Sequence, residues 1–456
     1  MTRRGRTGRA GRAGRVAAVL CASAMAVVTV VRAPVAVAAP DVPSYAFADG
    51  VRDAPAATST AAAVRLQPGA TYRSTLPADG KAYYRLELDG LSNAYVAVTA
   101  IPGSDVTPTA GDGISVSVQD ADGISCFHDS VTIGAAVSPQ PVTAWGAREI
   151  EPGKGLCQEG GTYYVVVQRS DPAGTGGSAA GSWQLELAPV SEPPVAKAPA
   201  TNVPGTWDSA TPAPPSGEPV ARPGGAGFGR AVSVTAGVWR DEVVPGETVF
   251  YKVPVDWGEQ IYAEADLGSA DTAPDKNTEY VFDALELSLY NPVRARVEAR
   301  GTGYSGAQKS AALDPVPPVR YANRYAPTDP VTSLRFAGSY YLVVHLAAEV
   351  AERFGDGPYE VTLRVRLDGS AQSGPGYAGW SSPRGIFDVG TQDDPVGGSG
   401  TAGSAGGDPV MTAVAAGGLG TGTALVLVLG VWTLVARRRA SAPSRQMRAS
   451  AQNPTA

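Results

Sequence analysis

The stretch at residues 72–88 reads YRSTLPADGKAYYRLEL, and its pattern returns 167 positions later. The second copy, at 239–255, reads WRDEVVPGETVFYKVPV. Aligned without a gap, each aromatic residue of the first copy matches an aromatic one, both arginines match basic residues, and each leucine matches a valine. The aligned pairs include Tyr84/Tyr251, Arg85/Lys252, Leu86/Val253 and Leu88/Val255.

Two later stretches repeat at nearly the same offset. GTYYVVV at 161–167 matches GSYYLVV at 338–344, and residues 183–187 match 359–363. Offsets that change by only about ten residues indicate one duplicated domain with insertions in the second copy. We therefore expect one architecture twice, at 62–190 and at 227–367.

In both copies apolar residues alternate with polar ones, as Trp183, Leu185 and Leu187 do. Alternation with period two, broken by Gly, Pro and Asp turns, predicts antiparallel strands. A two-sheet sandwich is the natural way to bury the inner faces of so many short strands. The sequence thus predicts an all-β fold of two tandem β-sandwiches. The second copy is expected to add a long loop at 292–333 and a short helix at 346–354.

The two ends carry signals for export and for a membrane. Six arginines precede an apolar run at 16–31 and an AVA site, so residues 1–38 predict a signal peptide, with an uncleaved anchor as the alternative. Residues 411–436 carry no charge and are long enough to span a bilayer as a helix. Three arginines follow, which places the tail at 437–456 inside the cell. Gly418 and Gly422 form a small-xxx-small pair that predicts self-association of this helix.

We therefore expect a single-pass protein of the cell membrane with its N-terminal domains outside the cell. Without the seven basic residues before position 39 and the five after 436, 25 Lys and Arg face 43 Asp and Glu, a net charge near −18. Such a field repels nucleic acid. By composition, residues 39–61 are extended, 191–226 are a proline-rich linker, and 368–410 are a flexible Gly/Ser-rich stalk.

Cys126 and Cys157 are the two cysteines that remain after removal of the signal. A single pair of cysteines outside the cell usually forms a disulfide, which at this loop length contributes roughly 3–4 kcal/mol to the free energy of unfolding. A metal or redox role is the alternative, for which His128 is the nearest further ligand.

The order of these motifs resembles a known family. A Gly-containing turn before Tyr83 and Tyr84, an Asp-Gly turn at 122–123, the GTYYVVV strand and a closing aromatic strand are similar to the bacterial pre-peptidase C-terminal domain. The resemblance implies a jelly-roll-like sandwich in secreted enzymes and surface proteins. The phrase PGETVFYKVPVDWG at 245–258 also resembles secreted, membrane-anchored actinobacterial proteins. We expect no enzyme domain beside the two sandwiches, which departs from the usual context of the family.

The sequence offers little for catalysis. It has two histidines, and His345 has Gln168 as its counterpart in the first copy, which predicts a surface position. No GxSxG, HExxH, P-loop or CxxC motif occurs. We expect no catalytic residue and no cofactor other than calcium. Asp120 and Asp122 could bind calcium in a Gly-terminated turn, although such turns also favour Asp and Gly for their backbone angles.

Within the long loop, Arg320, Tyr321, Arg324 and Tyr325 predict a contact surface for a ligand or partner, because Tyr and Arg anchor interfaces. The alternative is that the tyrosines pack against their own sandwich. We interpret the chain as a non-enzymatic binding protein of the cell surface whose ligand is a protein or a cell-wall glycan. An accessory or structural subunit of a membrane or secretion complex, and an unrecognised secreted hydrolase, are the alternatives.

Overall fold

The computed structural model describes residues 42–78, 80–103, 106–170, 181–197, 201–202, 205–270 and 280–389. The predicted signal peptide, the predicted membrane helix with Gly418 and Gly422, and the predicted tail lie outside these residues. Within the described ranges, no helix combines the length and the apolar composition needed to cross a bilayer.

Domain 1 consists of ten strands in two facing sheets. The strands are β1 (Arg52–Asp53), β2 (Val64–Arg65), β3 (Tyr72–Leu76), β4 (Lys81–Leu88), β5 (Asn93–Ile101), β6 (Gly113–Gln119), β7 (Ser125–Thr132), β8 (Val142–Arg148), β9 (Gly161–Ser170) and β10 (Trp183–Glu192). One sheet has the order β1-β3-β10-β5-β8 and the other β2-β4-β9-β6-β7. Alternate side chains of both sheets meet between them in one apolar core.

Domain 2 repeats these elements in the same order. Its strands are β11 (Val220–Ala221), β12 (Val232–Ser233), β13 (Gly237–Val243), β14 (Thr248–Val255), β15 (Gln260–Leu267), β16 (Val281–Tyr290), β17 (Arg296–Tyr304), β18 (Lys309–Ala312), β19 (Gly338–Leu346) and β20 (Tyr359–Asp368). The sheets are β11-β13-β20-β15-β18 and β12-β14-β19-β16-β17. Two short helices, α1 (Asp329–Thr332) and α2 (Glu349–Phe354), and a 3₁₀ turn, Tyr321–Tyr325, complete the domain.

The duplication read from the sequence holds at the level of strand register. Trp183 pairs with Leu76 in domain 1, and Tyr359 pairs with Val243 at the equivalent position of domain 2. The predicted all-β architecture of two tandem sandwiches is therefore confirmed.

Two expectations for domain 2 need correction. β17 and β18 lie inside the stretch predicted as a long loop. The sequence did not reveal β17 because charged residues on its outer side obscure the period-two alternation, although Val297 on its inner side is buried. The predicted helix at 346–354 is present but shorter. Leu346 still pairs with Leu285 as the last residue of β19, so α2 begins only at Glu349.

The two domains share an interface on the outer face of the first sheet of domain 1. An outer sheet face is usually wet, but β8 is buried on both faces and β5 along nearly its whole length. Tyr95, Trp145 and Val190 of domain 1 form an apolar cluster with Val293 and Phe336 of domain 2. The sandwiches therefore pack as one unit through an apolar contact.

Among the described residues, three buried ion pairs cross this interface, each with a carboxylate from domain 1 and a guanidinium from domain 2. They are Glu186–Arg294 at 2.6 Å, Glu192–Arg324 at 2.8 Å, and Glu149–Arg335. Removing such charges from water costs several kcal/mol per ion, so they persist only where partners surround them. The pairs fix the relative position of the domains more strictly than apolar contact alone would.

The segments that flank the domains also pack into the junction. The Tyr45 hydroxyl donates to Glu186 Oε1 at 3.1 Å, and the Tyr377 hydroxyl donates to Glu192 Oε1 at 2.9 Å. Phe387 stacks on Phe336 with ring centroids 5.0 Å apart. The expectation of a flexible stalk is therefore wrong for residues 369–389, because Tyr377 and Phe387 of this segment have buried partners. Residues 390–410 lie outside the described ranges.

The described part of the predicted linker also contacts a sheet. Arg364 Nη1 donates to the carbonyl of Pro215 at 3.0 Å, and Gln260 Nε2 donates to that of Asp208 at 3.1 Å. Here the proline-rich chain covers the outer face of the first sheet of domain 2. It is packed at these contacts and does not serve there as a free spacer.

Replacement of Arg324 by alanine tests the strength of the interdomain pairs. Arg324→Ala leaves the Glu192 carboxylate buried without its cation, and we expect it to lower the free energy of unfolding by about 3–5 kcal/mol. Arg300→Ala is the control, because the Arg300 side chain is 42 % exposed and that of its partner Asp314 is 62 % exposed, so its ion pairs should contribute about 1 kcal/mol or less. Chemical denaturation of both variants measures the difference. Equal small losses would contradict the importance of the buried pair.

Candidate functional site

Of the residues predicted to form a contact surface, Arg324 contacts domain 1 of the same chain, and Tyr321 packs against the core of its own sandwich, as the alternative interpretation expected. Arg320 precedes the 3₁₀ turn that contains Tyr321 and Arg324 and ends at Tyr325. The Arg324 side chain is only 7 % exposed, its guanidinium lies 3.5 Å from the centroid of the Tyr321 ring, and Nη2 contacts Glu192. This stretch therefore makes an internal interface, and Arg324 has little surface left for another molecule.

Glu192 is the electrostatic centre of that interface. Its carboxylate accepts hydrogen bonds from Asn93, Tyr95, Arg324 and Tyr377 at 2.7–2.9 Å. Burial acts to raise the pKa of Glu192, but the charge and hydrogen bond of Arg324 outweigh it, so the pKa is lowered. The pKa of Arg324 is raised, because the Glu192 charge outweighs the burial that acts to lower it.

The two cysteines form the predicted disulfide. Cys126 at the start of β7 is bonded to Cys157 in the loop before β9. The bond joins an edge strand to a loop that the sheet hydrogen bonds do not hold, which confirms the structural interpretation of the pair.

Asp120 and Asp122 form the tip of the turn between β6 and β7. Asp120 Oδ1 accepts the backbone N–H groups of Asp122 at 3.0 Å and Ile124 at 2.8 Å. These bonds are those of an Asp-stabilised turn. Across the described residues, no group of three or more His, Cys, Asp or Glu side chains is placed to share an ion. Calcium binding at this turn stays a prediction.

The two histidines occupy opposite environments. His128 is exposed on β7, whereas His345 is 1 % exposed, so its expected surface position is wrong. His345 Nε2 lies 2.9 Å from Ser138 Oγ of domain 1, and Nδ1 lies 2.9 Å from Thr248 Oγ1. Ser138 also accepts the N–H of Ala348, and both side chains are enclosed by the interface. The Ser–His contact thus joins domains and leaves no room for a substrate at Ser138.

A cleft of about 500 Å³ lies between domain 2 and the C-terminal segment. Trp257, from the turn between β14 and β15, is part of the domain 2 core and forms the floor of the cleft. Trp380 lines the same cleft and is 75 % exposed, the largest exposed fraction among the big apolar side chains of the described residues. Polar groups complete the wall, namely Asp256, Gln372 and Asp388.

The C-terminal segment is held on domain 2 by close backbone contacts. The backbone N–H of Gln372 donates to the backbone carbonyl of Trp257 at 2.8 Å. A Cβ on Gly374 would come within 2.6 Å of Trp257 Nε1, so only glycine lets the segment cross the indole here. The segment then reaches Tyr377, whose hydroxyl is anchored on Glu192. The cleft is therefore a built feature of the junction.

Sequence reasoning missed this cleft because it assigned the C-terminal segment to a stalk. A signal was present, since Tyr377, Trp380, Ile386 and Phe387 fall close together in a stretch otherwise rich in Gly and Ser. Large apolar side chains at that density are unusual for a linker, and they indicate a segment that packs.

No family model matches the chain, and no curated protein matches it. The solved structures that it resembles include tripeptidyl peptidase 2, with 11 % identity, a TM-score of 0.18, and coverage of 64 % of this chain but 22 % of that one. The CBM22-1–CBM22-2 tandem domain of Paenibacillus barcinonensis Xyn10C matches with 12 % identity, a TM-score of 0.18, and coverage of 65 % and 84 %. The ANXUR2 extracellular domain of Arabidopsis thaliana matches with 9 % identity, a TM-score of 0.19, and coverage of 64 % and 83 %. Similarity of this size assigns neither a family nor a function.

The buried histidine predicts a dependence of stability on pH. Burial lowers the pKa of His345 from 6.5 to about 4. Between these values the unfolded chain binds a proton that the folded chain does not, so acidification favours unfolding. We expect this pKa difference to add up to about 3 kcal/mol to the free energy of unfolding above pH 6.5, and this contribution to be lost as the pH falls towards 4.

His345→Gln, the residue found at the equivalent Gln168 of domain 1, should remove this part of the pH dependence. Chemical denaturation at pH 7 and at pH 4.5 measures it in both proteins. The carboxylates, including Glu192 with its lowered pKa, are the same in both proteins, so the difference between the two isolates the histidine. If wild type and variant lose equal stability on acidification, another group is responsible.

Proposed function

We propose that this protein binds a glycan of the cell wall at the Trp380 cleft, without catalysing a reaction, and presents that cleft on a rigid pair of β-sandwiches. The observation that supports the proposal is the exposed Trp380 indole in a concave site with the polar side chains of Asp256, Gln372 and Asp388. An apolar platform with a few directed polar groups is the usual composition of a small-molecule site.

The chemistry of a sugar ring fits this composition. A pyranose offers a face of C–H groups, which packs on an indole, and an equator of hydroxyl groups, which hydrogen-bond to carboxylates and amides. One face of the Trp380 ring is covered by Arg384, whose guanidinium carbon lies 4.7 Å from the ring centroid. The cation restrains the indole and leaves the rest of the ring for a ligand.

The rest of the molecule supports a surface role. The exported part carries a net charge near −18, as suits a solvated ectodomain, and the ion pairs of the junction hold the cleft in a fixed shape. We propose that residues 1–38 direct export and that residues 411–436 anchor the chain in the cell membrane. Both sandwiches are proposed to be jelly-roll-like domains of the pre-peptidase C-terminal type, on the strength of the repeated Gly-x-Tyr-Tyr strand.

Trp380→Ala tests the proposal directly. We expect it to weaken binding of the full chain to purified cell wall by about tenfold or more, because the apolar contact of the ring is lost. Phe282→Ala is the matched control, since Phe282 is 70 % exposed but does not line the cleft, and it should bind as wild type does. Co-sedimentation in calcium and in chelator measures binding and tests Asp120 and Asp122 in the same experiment.

The outcomes separate the candidates. If Trp380→Ala sediments as wild type does, the cleft is not the glycan site. If wild type stays in solution, a wall glycan is not the ligand, and a protein partner becomes the working hypothesis. A fragment that ends at residue 367 would lack Trp380, so the full chain is required.

A further inference from the structure

A second cavity, of about 370 Å³, lies beside the cleft where both domains meet the C-terminal segment. Domain 1 contributes the loop before β3 and part of β10. Domain 2 contributes Lys252 of β14, Arg294 of the turn after β16, and Tyr341 of β19. The C-terminal segment closes the cavity with residues 383–386, which include Arg384.

The charges that line this cavity are all positive. Lys252, Arg294 and Arg384 contribute cations, and no Asp or Glu is among the lining residues. Arg294 is neutralised by Glu186. Among the described residues, neither Lys252 nor Arg384 forms an ion pair. In an ectodomain with a net charge near −18, two uncompensated cations in one cavity are a local exception that favours an anionic ligand.

Comparison of the two sandwiches shows how the lysine came to lack a partner. Lys252 is equivalent to Arg85 of domain 1, which pairs with Glu87 at 3.3 Å. The position equivalent to Glu87 is Pro254 in domain 2. The strand neighbour is the same in both, Tyr164 for Arg85 and Tyr341 for Lys252. Domain 2 therefore retains the cation and the tyrosine, but it lacks the carboxylate that neutralises the cation in domain 1.

Arg384 connects the two sites. Its side chain lines the second cavity, and its guanidinium lies over Trp380, which lines the cleft. A sugar packed on Trp380 would therefore have Arg384 beside it and Lys252 within the adjoining cavity.

We infer that this cavity is an anion-binding subsite, and that the glycan bound at the cleft carries a negatively charged substituent, a carboxylate or a phosphate. The sugar part of this inference rests on the proposed function, whereas the anion subsite does not. Lys252 and Arg384 would bind the anion, with the Tyr341 hydroxyl as a further donor.

A matched pair of ligands tests the inference on the full chain. The probes are a neutral β-1,4-glucan oligomer and the same oligomer oxidised at C6 to the uronate. The change in tryptophan fluorescence on adding each oligomer measures its affinity. We expect the uronate to bind about tenfold more tightly, and the preference to weaken with added salt.

Three variants show which residues produce this preference. Lys252→Gln should abolish the preference without lowering the affinity for the neutral oligomer. Arg85→Gln, at the equivalent position of domain 1, should leave both affinities unchanged. Arg384→Gln, at an exposed position, provides a second test should Lys252→Gln impair folding.

Inorganic phosphate, added alone, tests the subsite without a sugar. It should raise the melting temperature of wild type and not that of Lys252→Gln. Equal affinities for the two oligomers, together with no effect of phosphate, overturn the subsite and leave the proposed function standing. If phosphate stabilises wild type only but neither oligomer binds, the glycan proposal fails and the anion subsite stands.

Discussion

The buried carboxylate of Glu192 is the interaction on which the arrangement of this molecule depends. Its four donors come from three parts of the chain: Asn93 and Tyr95 from domain 1, Arg324 from domain 2, and Tyr377 from the C-terminal segment. A buried charge is tolerated only where donors surround it, so Glu192 requires all three parts to be in place together. The cleft and the cationic cavity both lie at the contact that this carboxylate secures.

The stacking of the sandwiches is directional, because the equivalent outer faces of the two domains carry different residues. In domain 1 the outer side of β10 carries Ala188 and Val190, which pack in the junction. The equivalent residues of β20 are Arg364 and Arg366, which contact the linker. A third sandwich would have to bury these arginines without the acids that the domain interface supplies. Duplication gave two copies of one surface, and substitution left only one of them able to stack.

The same asymmetry produces the surface for which we propose a binding role. Domain 1 keeps Arg85 and Glu87 as an exposed, self-neutralised pair, while domain 2 presents Lys252 without such an acid in a concave junction. The segment after β20, absent from the duplicated pattern, adds Trp380 and Arg384 to that junction. The residues of the proposed binding sites thus lie where the two copies differ and where the chain leaves the repeat.

The sequence by itself determined the all-β class, most of the strands and the duplication, because period-two alternation and turn residues act locally and recur at a nearly fixed offset. It missed β17 and β18. It also determined the disulfide. Only the tertiary structure decided what the outer faces do, since a Glu, an Arg or a Tyr in a sequence does not reveal whether water or another domain covers it. Arg324 and Tyr321 therefore suggested a contact surface for a partner, but Arg324 pairs with Glu192 of domain 1 and Tyr321 packs on the core of domain 2. Trp380 read as part of a stalk and proved to line a cleft, because its surroundings are assembled from residues more than a hundred positions apart.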